Sequence, residues 1–120
     1  MTKQHFHHKP VYSGVLTGAL LNTVASPYQA SGRAIIKVLN RPHDSHFHVE
    51  NPSETATYVG LYGTLVIDFN GNWVYTLNHT NSAVVALGTG ATLTDSILAR
   101  SNYNYRDQYG VHIVITITGA

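Results

Sequence analysis

Short segments of alternating hydrophobic and polar residues follow one another along this chain, separated by glycine, asparagine or proline. The clearest is VHIVITIT at residues 111–118, whose alternation places the following side chains on one face: Val111, Ile113, Ile115 and Ile117. Further β-prone segments lie at residues 12–21, 33–39, 56–69, 72–78 and 91–100. About seven short strands at regular intervals, with almost no helix, predict an all-β sandwich.

One segment departs from this alternation. In NSAVVALGTG, Asn81 suits a helix N-cap. Val84 and Leu87 would share one face, and Gly88 would end the turn. The sequence therefore predicts one short helical turn near residues 82–87.

The stretch DFNGNWVYTL contains a hairpin turn followed by a strand that carries the only tryptophan. A two-residue Asn-Gly loop would place Trp73 on the same face as Asp68. A three-residue loop containing Asn70 and Gly71, with Gly71 in the left-handed conformation, would place Trp73 opposite Ile67. The second register separates apolar from polar side chains more cleanly. We therefore expect the three-residue loop, with Trp73 in the core rather than on a ligand-binding surface.

The predicted core combines this hairpin with the last strand, because each presents one apolar face. Its members are Leu65, Ile67, Trp73, Tyr75, Leu77, Ile113, Ile115 and Ile117. Recognition of any partner would then fall to the loops.

Composition and charge exclude several classes of function. Only 11% of the 120 residues are charged and the net charge is +1 with neutral histidines, which argues against a nucleic-acid partner. The chain has no cysteine, so it can form neither a disulfide nor a thiol nucleophile. No apolar run reaches the roughly 18 residues of a membrane-spanning helix, and we expect no membrane insertion.

The chain divides into a short polar segment and one domain. Residues 1–10 are rich in histidine, and we expect them to form a disordered N-terminal segment. They lack the apolar core of a signal peptide, so either the protein is not exported by that route or the sequence is a segment of a larger protein. Residues 11–120 have the length of a single domain.

A long ordered motif covers residues 62–95. It opens with Tyr-Gly-Thr-Leu, continues through the Asn-Gly turn and NWVYTLN, and ends with NSAVVALGTGATLTD. This motif resembles the signature of the VCBS repeat, a module of very large bacterial surface and secreted proteins, often RTX-type adhesins. The ending VITITGA and, more weakly, GVLTGALL extend the resemblance to about residues 12–119.

The resemblance implies an immunoglobulin-like or cadherin-like β-sandwich with a non-enzymatic role, as a spacer or adhesion module in a tandem array. Its partners would be neighbouring domains of a larger chain, or a glycan or protein at a cell surface, and its location would be extracellular. Members of the family often bind calcium at domain junctions. Here only six acidic residues are present and the spacing of Asp68, Asp95 and Asp107 does not group them, so we expect no cofactor.

The histidine-rich loop at residues 43–50 is a candidate metal site. His46, His48 and Glu50 alternate, so on a strand they would share one face. Imidazole and carboxylate groups bind zinc, nickel or copper. The alternative interpretation is a solvated loop that is rich in histidine.

The tyrosine-rich loop at residues 101–110 is a candidate glycan site. Tyr103, Tyr105 and Tyr109 could form an aromatic patch on which sugars stack. Alternatively, one or two of them fold back onto the core and the others decorate the loop tip. The sequence contains no nucleophile elbow, phosphate-binding loop or paired carboxylates, so we do not expect an enzyme.

Overall fold

The computed structural model describes residues 10–23, 28–38, 46, 47, 49, 54–105 and 108–120, except for the side chains of residues 103–105, 108 and 109. The elements are β1 (Val11–Gly14), β2 (Thr17–Leu21), β3 (Gln29–Lys37), β4 (Thr55–Val59), β5 (Gly63–Asp68), β6 (Asn72–Leu77), α1 (Ser82–Val85), β7 (Thr92–Tyr105) and β8 (Gln108–Thr118). One sheet has five strands in the order β1-β3-β6-β5-β4, and the other has three in the order β2-β8-β7. The predicted all-β sandwich is confirmed, with eight strands among the described residues.

The first β-prone segment of the sequence forms two strands in different sheets. The backbone N–H of Val15 donates to the carbonyl oxygen of Arg33 in the large sheet at 2.8 Å. The carbonyl oxygen of the next residue, Leu16, accepts from the N–H of Val114 in the small sheet at 3.0 Å. The chain therefore crosses from one sheet to the other between Val15 and Leu16, and the two strands close one side of the sandwich.

The hairpin between β5 and β6 has the predicted three-residue register. Leu65 lies opposite Tyr75 and Ile67 opposite Trp73. Gly71 has a φ of 92°, which places it in the left-handed region that such a loop requires. One carboxylate oxygen of Asp68 accepts from the backbone N–H groups of residues 70 and 72, both at 2.9 Å. This turn marks one end of the sandwich, called the hairpin end below.

The two sheets enclose a single apolar core. The eight residues predicted for it from the sequence are all at most 2% exposed. Trp73 is 1% exposed, and its indole Nε1–H donates to the carbonyl oxygen of Val15 at 2.9 Å. The indole therefore packs between the sheets and is fixed to the backbone at the point where the chain changes sheets.

The predicted helical turn lies at the opposite end of the sandwich, called the helix end below. The side-chain oxygen of Asn81 accepts from the backbone N–H of Ala83 and Val84, which caps α1 at its start. Val84 is fully buried and Leu87 is partly buried against the core, as the pattern predicted. Among the described residues, no helix has the length and hydrophobicity needed to cross a membrane.

Candidate functional site

Asp95 is the buried charged group of the described core, and its carboxylate connects the two sheets. It belongs to β7 of the small sheet and is 1% exposed. Its Oδ1 accepts from the backbone N–H of Leu61 at 3.0 Å, and its Oδ2 from the backbone N–H of Tyr62 at 2.9 Å. Leu61 and Tyr62 form the turn between β4 and β5 of the large sheet. The carboxylate is thus held by a pair of successive backbone N–H groups, an arrangement that favours an anion.

The third donor to Asp95 is the phenolic hydroxyl of Tyr75, which lies 2.7 Å from Oδ2. Burial of Tyr75 raises the pKa of its phenol, and the hydrogen bond to the Asp95 carboxylate raises that pKa further. Tyr75 therefore stays a neutral donor across the physiological pH range. Three protein donors thus bind the Asp95 carboxylate, one on Oδ1 and two on Oδ2.

Gly60 leaves the room that this carboxylate occupies. A Cβ at this position would lie 2.5 Å from Oδ2 and 2.6 Å from Oδ1 of Asp95. A side chain there would therefore displace the carboxylate from its donors. In the sequence, the sign of this buried carboxylate is an acidic residue at an inward position of the strand segment LTDSILA, between Leu93 and Ile97. From the sequence, Asp95 was considered only as a calcium ligand.

An open groove lies next to Asp95, between the outermost strands β4 and β7. Its volume is about 380 Å³, and it is lined by Tyr58, Val59, Leu61, Asp95, Ile97 and Leu98 among others. The Tyr58 hydroxyl accepts from the backbone N–H of Arg100 at 3.1 Å, so it bridges the two strands. Both oxygens of Asp95, which borders this groove, accept hydrogen bonds from protein groups.

The candidate metal ligands are only partly within the described residues. His46 stacks on Phe69, with ring centroids 4.0 Å apart and an interplanar angle of 18°. His48 and Glu50 lie outside the described residues, so the three-residue site remains a prediction. Within the part of the chain that the structure describes, no group of three or more His, Cys, Asp or Glu side chains could hold a metal ion.

The calcium candidates are widely separated. Asp68 is the last residue of β5, whereas the Asp95 carboxylate binds the turn that precedes this strand. The two carboxylates therefore lie at opposite ends of β5, and Asp107 lies outside the described residues. Asp68 and Asp95 cannot contribute to one calcium site.

The tyrosine-rich segment at residues 101–110 lies where the ends of β7 and β8 pair. β7 continues to Tyr105 and β8 begins at Gln108, with a register irregularity between Arg100 and Tyr105. The side chains of Tyr103, Tyr105 and Tyr109 lie outside the described residues, so their role in glycan binding remains a prediction.

A serine and a histidine approach each other on the outer face of the small sheet. The Ser96 hydroxyl and His112 Nδ1 are 3.1 Å apart in an exposed position. Nucleophilic catalysis by such a pair also needs a third group that orients the imidazole. The neighbouring acid, Asp95, points to the opposite face of β7 because side chains alternate along a strand. The pair therefore does not extend to a triad through Asp95.

Asn22 forms a second buried polar centre, at the helix end, which the sequence did not reveal. Its side-chain Nδ2 donates to the carbonyl oxygens of Val84 at 2.9 Å and Leu87 at 3.3 Å. Its Oδ1 accepts from the backbone N–H of Ala120 at 3.0 Å. One carboxamide thus connects the end of β2, the carbonyl groups of Val84 in α1 and of Leu87 just beyond it, and the last residue of the chain.

No protein-family model matches the chain, and no curated protein matches it significantly.

Proposed function

We propose that this chain is a non-enzymatic structural module of the VCBS type, which acts as a spacer or adhesion domain in an extracellular or surface protein of bacteria. The position of the chain ends is the observation that carries the proposal. β1 and β2 run from the hairpin end to the helix end, and Ala120 contacts Asn22 directly after β2. Val11 and Ala120 therefore lie at opposite ends of the sandwich.

This arrangement suits modules joined in a row, because each would receive the chain at one end and pass it on at the other. The run from Val11 to Leu21 spans about 33 Å at about 3.3 Å per residue. A tandem array would thus lengthen by at least this amount with every module. The motif at residues 62–95 supports the same interpretation.

Small-angle scattering on fusions of one, two, three and four copies tests the proposal. We expect the maximum dimension to rise by a constant step of about 33 Å or more per copy. A fusion with a long glycine-serine linker between copies is the control, since flexible linkers give an increase that falls with copy number. Compact particles in the direct fusions would contradict a spacer. Tandem copies in the reading frame that encodes this segment would support it independently.

A further inference from the structure

The first and last strands of the small sheet along the chain, β2 and β8, pair directly with each other. β2 pairs in parallel with β8, from Thr17 opposite Val114 to Leu21 opposite Thr118. Hydrogen bonds continue this ladder at both ends, from Val114 N–H to Leu16 O at 3.0 Å and from Asn22 N–H to Thr118 O at 2.9 Å. Once β1 has separated from β3, tension between the chain ends would pass from β2 to β8 through this ladder.

The direction of that tension decides how the ladder fails. The chain enters β2 from the hairpin end and leaves β8 at the helix end, so tension would pull the two strands past each other along their axes. All the hydrogen bonds of the ladder would then be strained together. If β2 were instead pulled sideways away from β8, the same bonds would break one after another, each under the whole force. Breaking the ladder by pulling along the strand axes should therefore require a larger force than pulling β2 sideways away from β8.

The last two residues are held on both sides at the point where tension would enter β8. On the side of β2, the carboxamide of Asn22 accepts from the N–H of Ala120. On the side of β7, the Thr89 hydroxyl donates to the carbonyl oxygen of Ala120 at 2.8 Å, and the N–H of Gly119 donates to the carbonyl oxygen of Ala91, also at 2.8 Å. These contacts resist peeling of the C-terminus away from the sheet, so they direct the force along β8.

We infer that the parallel β2–β8 ladder, closed by the Asn22 side chain, is a mechanical clamp that resists tension between the two ends of the chain. The inference deepens the proposed spacer function and rests on it for its biological meaning. It assigns the main resistance to a small part of the molecule. The β1–β3 pairing meets the tension first, and the rest of the large sheet is loaded only after the β2–β8 ladder has failed.

Single-molecule force spectroscopy tests the clamp by changing the pulling direction on an otherwise identical protein. One protein is held at its two ends. The other is held through Thr17→Cys and Thr57→Cys, exposed positions in β2 and in the outermost strand β4, and the chain has no other cysteine. We expect a several-fold higher unfolding force between the chain ends. Equal forces in the two directions would overturn the inference, and this comparison needs no variant of Asn22.

The role of Asn22 is tested with a matched asparagine. Asn22→Ala removes the contact with Ala120, whereas Asn81→Ala removes two side-chain hydrogen bonds at the cap of α1, outside the path of tension. We expect Asn22→Ala to lower the unfolding force between the chain ends and Asn81→Ala to leave it unchanged, although both lower the equilibrium stability. An unchanged force in Asn22→Ala would overturn the assignment. The scattering experiment on tandem copies is independent, so a failed clamp is distinguishable from a failed spacer.

Discussion

The Tyr75 hydroxyl donates a hydrogen bond of 2.7 Å to the buried carboxylate of Asp95, and this contact joins a central strand of the large sheet to the outermost strand β7 of the small one. The same carboxylate accepts from the turn between β4 and β5. A buried charge that three protein donors satisfy is costly to disturb, because any partner left behind has no water to replace it. The contact therefore fixes how the two sheets are placed relative to each other.

Replacing this carboxylate by an amide should destabilise the fold strongly. Asp95→Asn keeps the shape of the side chain but turns an NH₂ group toward N–H or O–H donors. We expect the free energy of unfolding to fall by about 3 kcal/mol, measured by urea denaturation. Asp68→Asn is the control, because one oxygen of Asp68 accepts both backbone N–H groups and an amide oxygen can do the same. The other oxygen accepts from the exposed side-chain amide of Asn72, which can turn its own oxygen toward the new NH₂ group. The control should cost less than about 1 kcal/mol, and equal losses would contradict the assignment.

Stability should decrease at alkaline pH through Tyr75. Its pKa in the folded protein is raised above the ordinary value of 10.0, so the folded state keeps a proton that the unfolded chain releases. The stabilisation is therefore complete below pH 10.0 and is lost as the pH rises above it. The loss amounts to at most about 1.4 kcal/mol per pH unit.

Urea denaturation of the wild type and of Tyr75→Phe between neutral pH and pH 11 measures this loss, pH 11 being about one unit above the ordinary tyrosine pKa. Burial also raises the pKa of Tyr12, which both proteins retain. The difference between their slopes thus isolates Tyr75. Parallel slopes would show that the Tyr75 proton is not involved.

Two glycines with positive φ allow backbone strain to be separated from steric conflict. Gly71 and Gly90 have φ values of 92° and 80°. A Cβ at Gly71 would collide with the carbonyl oxygen of Ala34, whereas a Cβ at Gly90 would meet no atom within 4 Å. Gly90→Ala should therefore cost about 1 kcal/mol from the backbone alone. Gly71→Ala should cost a further 1–3 kcal/mol or so, because the turn must shift away from β3. Similar unfolding midpoints for the two variants would refute this steric explanation.

The indole of Trp73 should contribute through its hydrogen bond as well as its volume. Trp73→Phe removes the donor to the Val15 carbonyl and leaves a cavity between the sheets, so we expect a loss of about 2–4 kcal/mol in thermal or urea denaturation. Tyr58→Phe is the comparison, since it also removes one contact to a backbone group, the N–H of Arg100, but in an exposed position. Its cost should stay below about 1 kcal/mol. A smaller loss in Trp73→Phe than in Tyr58→Phe would contradict this role for the indole.

The sequence-based predictions that the structure confirms concern residues close to one another along the chain. The register of the hairpin followed from the Asn-Gly turn and from the alternation on either side of it, because a shift by one residue would expose Ile67 and Trp73. The helical turn followed from Asn81 and from the spacing of Val84 and Leu87. The division of residues 12–21 into two strands was not predicted, because alternation does not distinguish one strand from two strands in different sheets.

By itself, the sequence determined which face of most strands is buried and where the hairpin turns, because these properties depend on residues only a few positions apart. Only the tertiary structure decided that β2 pairs with β8, that Asp95 binds the turn before β5, and that Asn22 holds the last residue. Asn22 and Ala120 are 98 positions apart, and Asp95 and Leu61 are 34 apart. Such pairs produce no periodic pattern in the sequence. A hydrogen bond between distant residues depends on how the sheets stack, and not on the number of positions between the two residues.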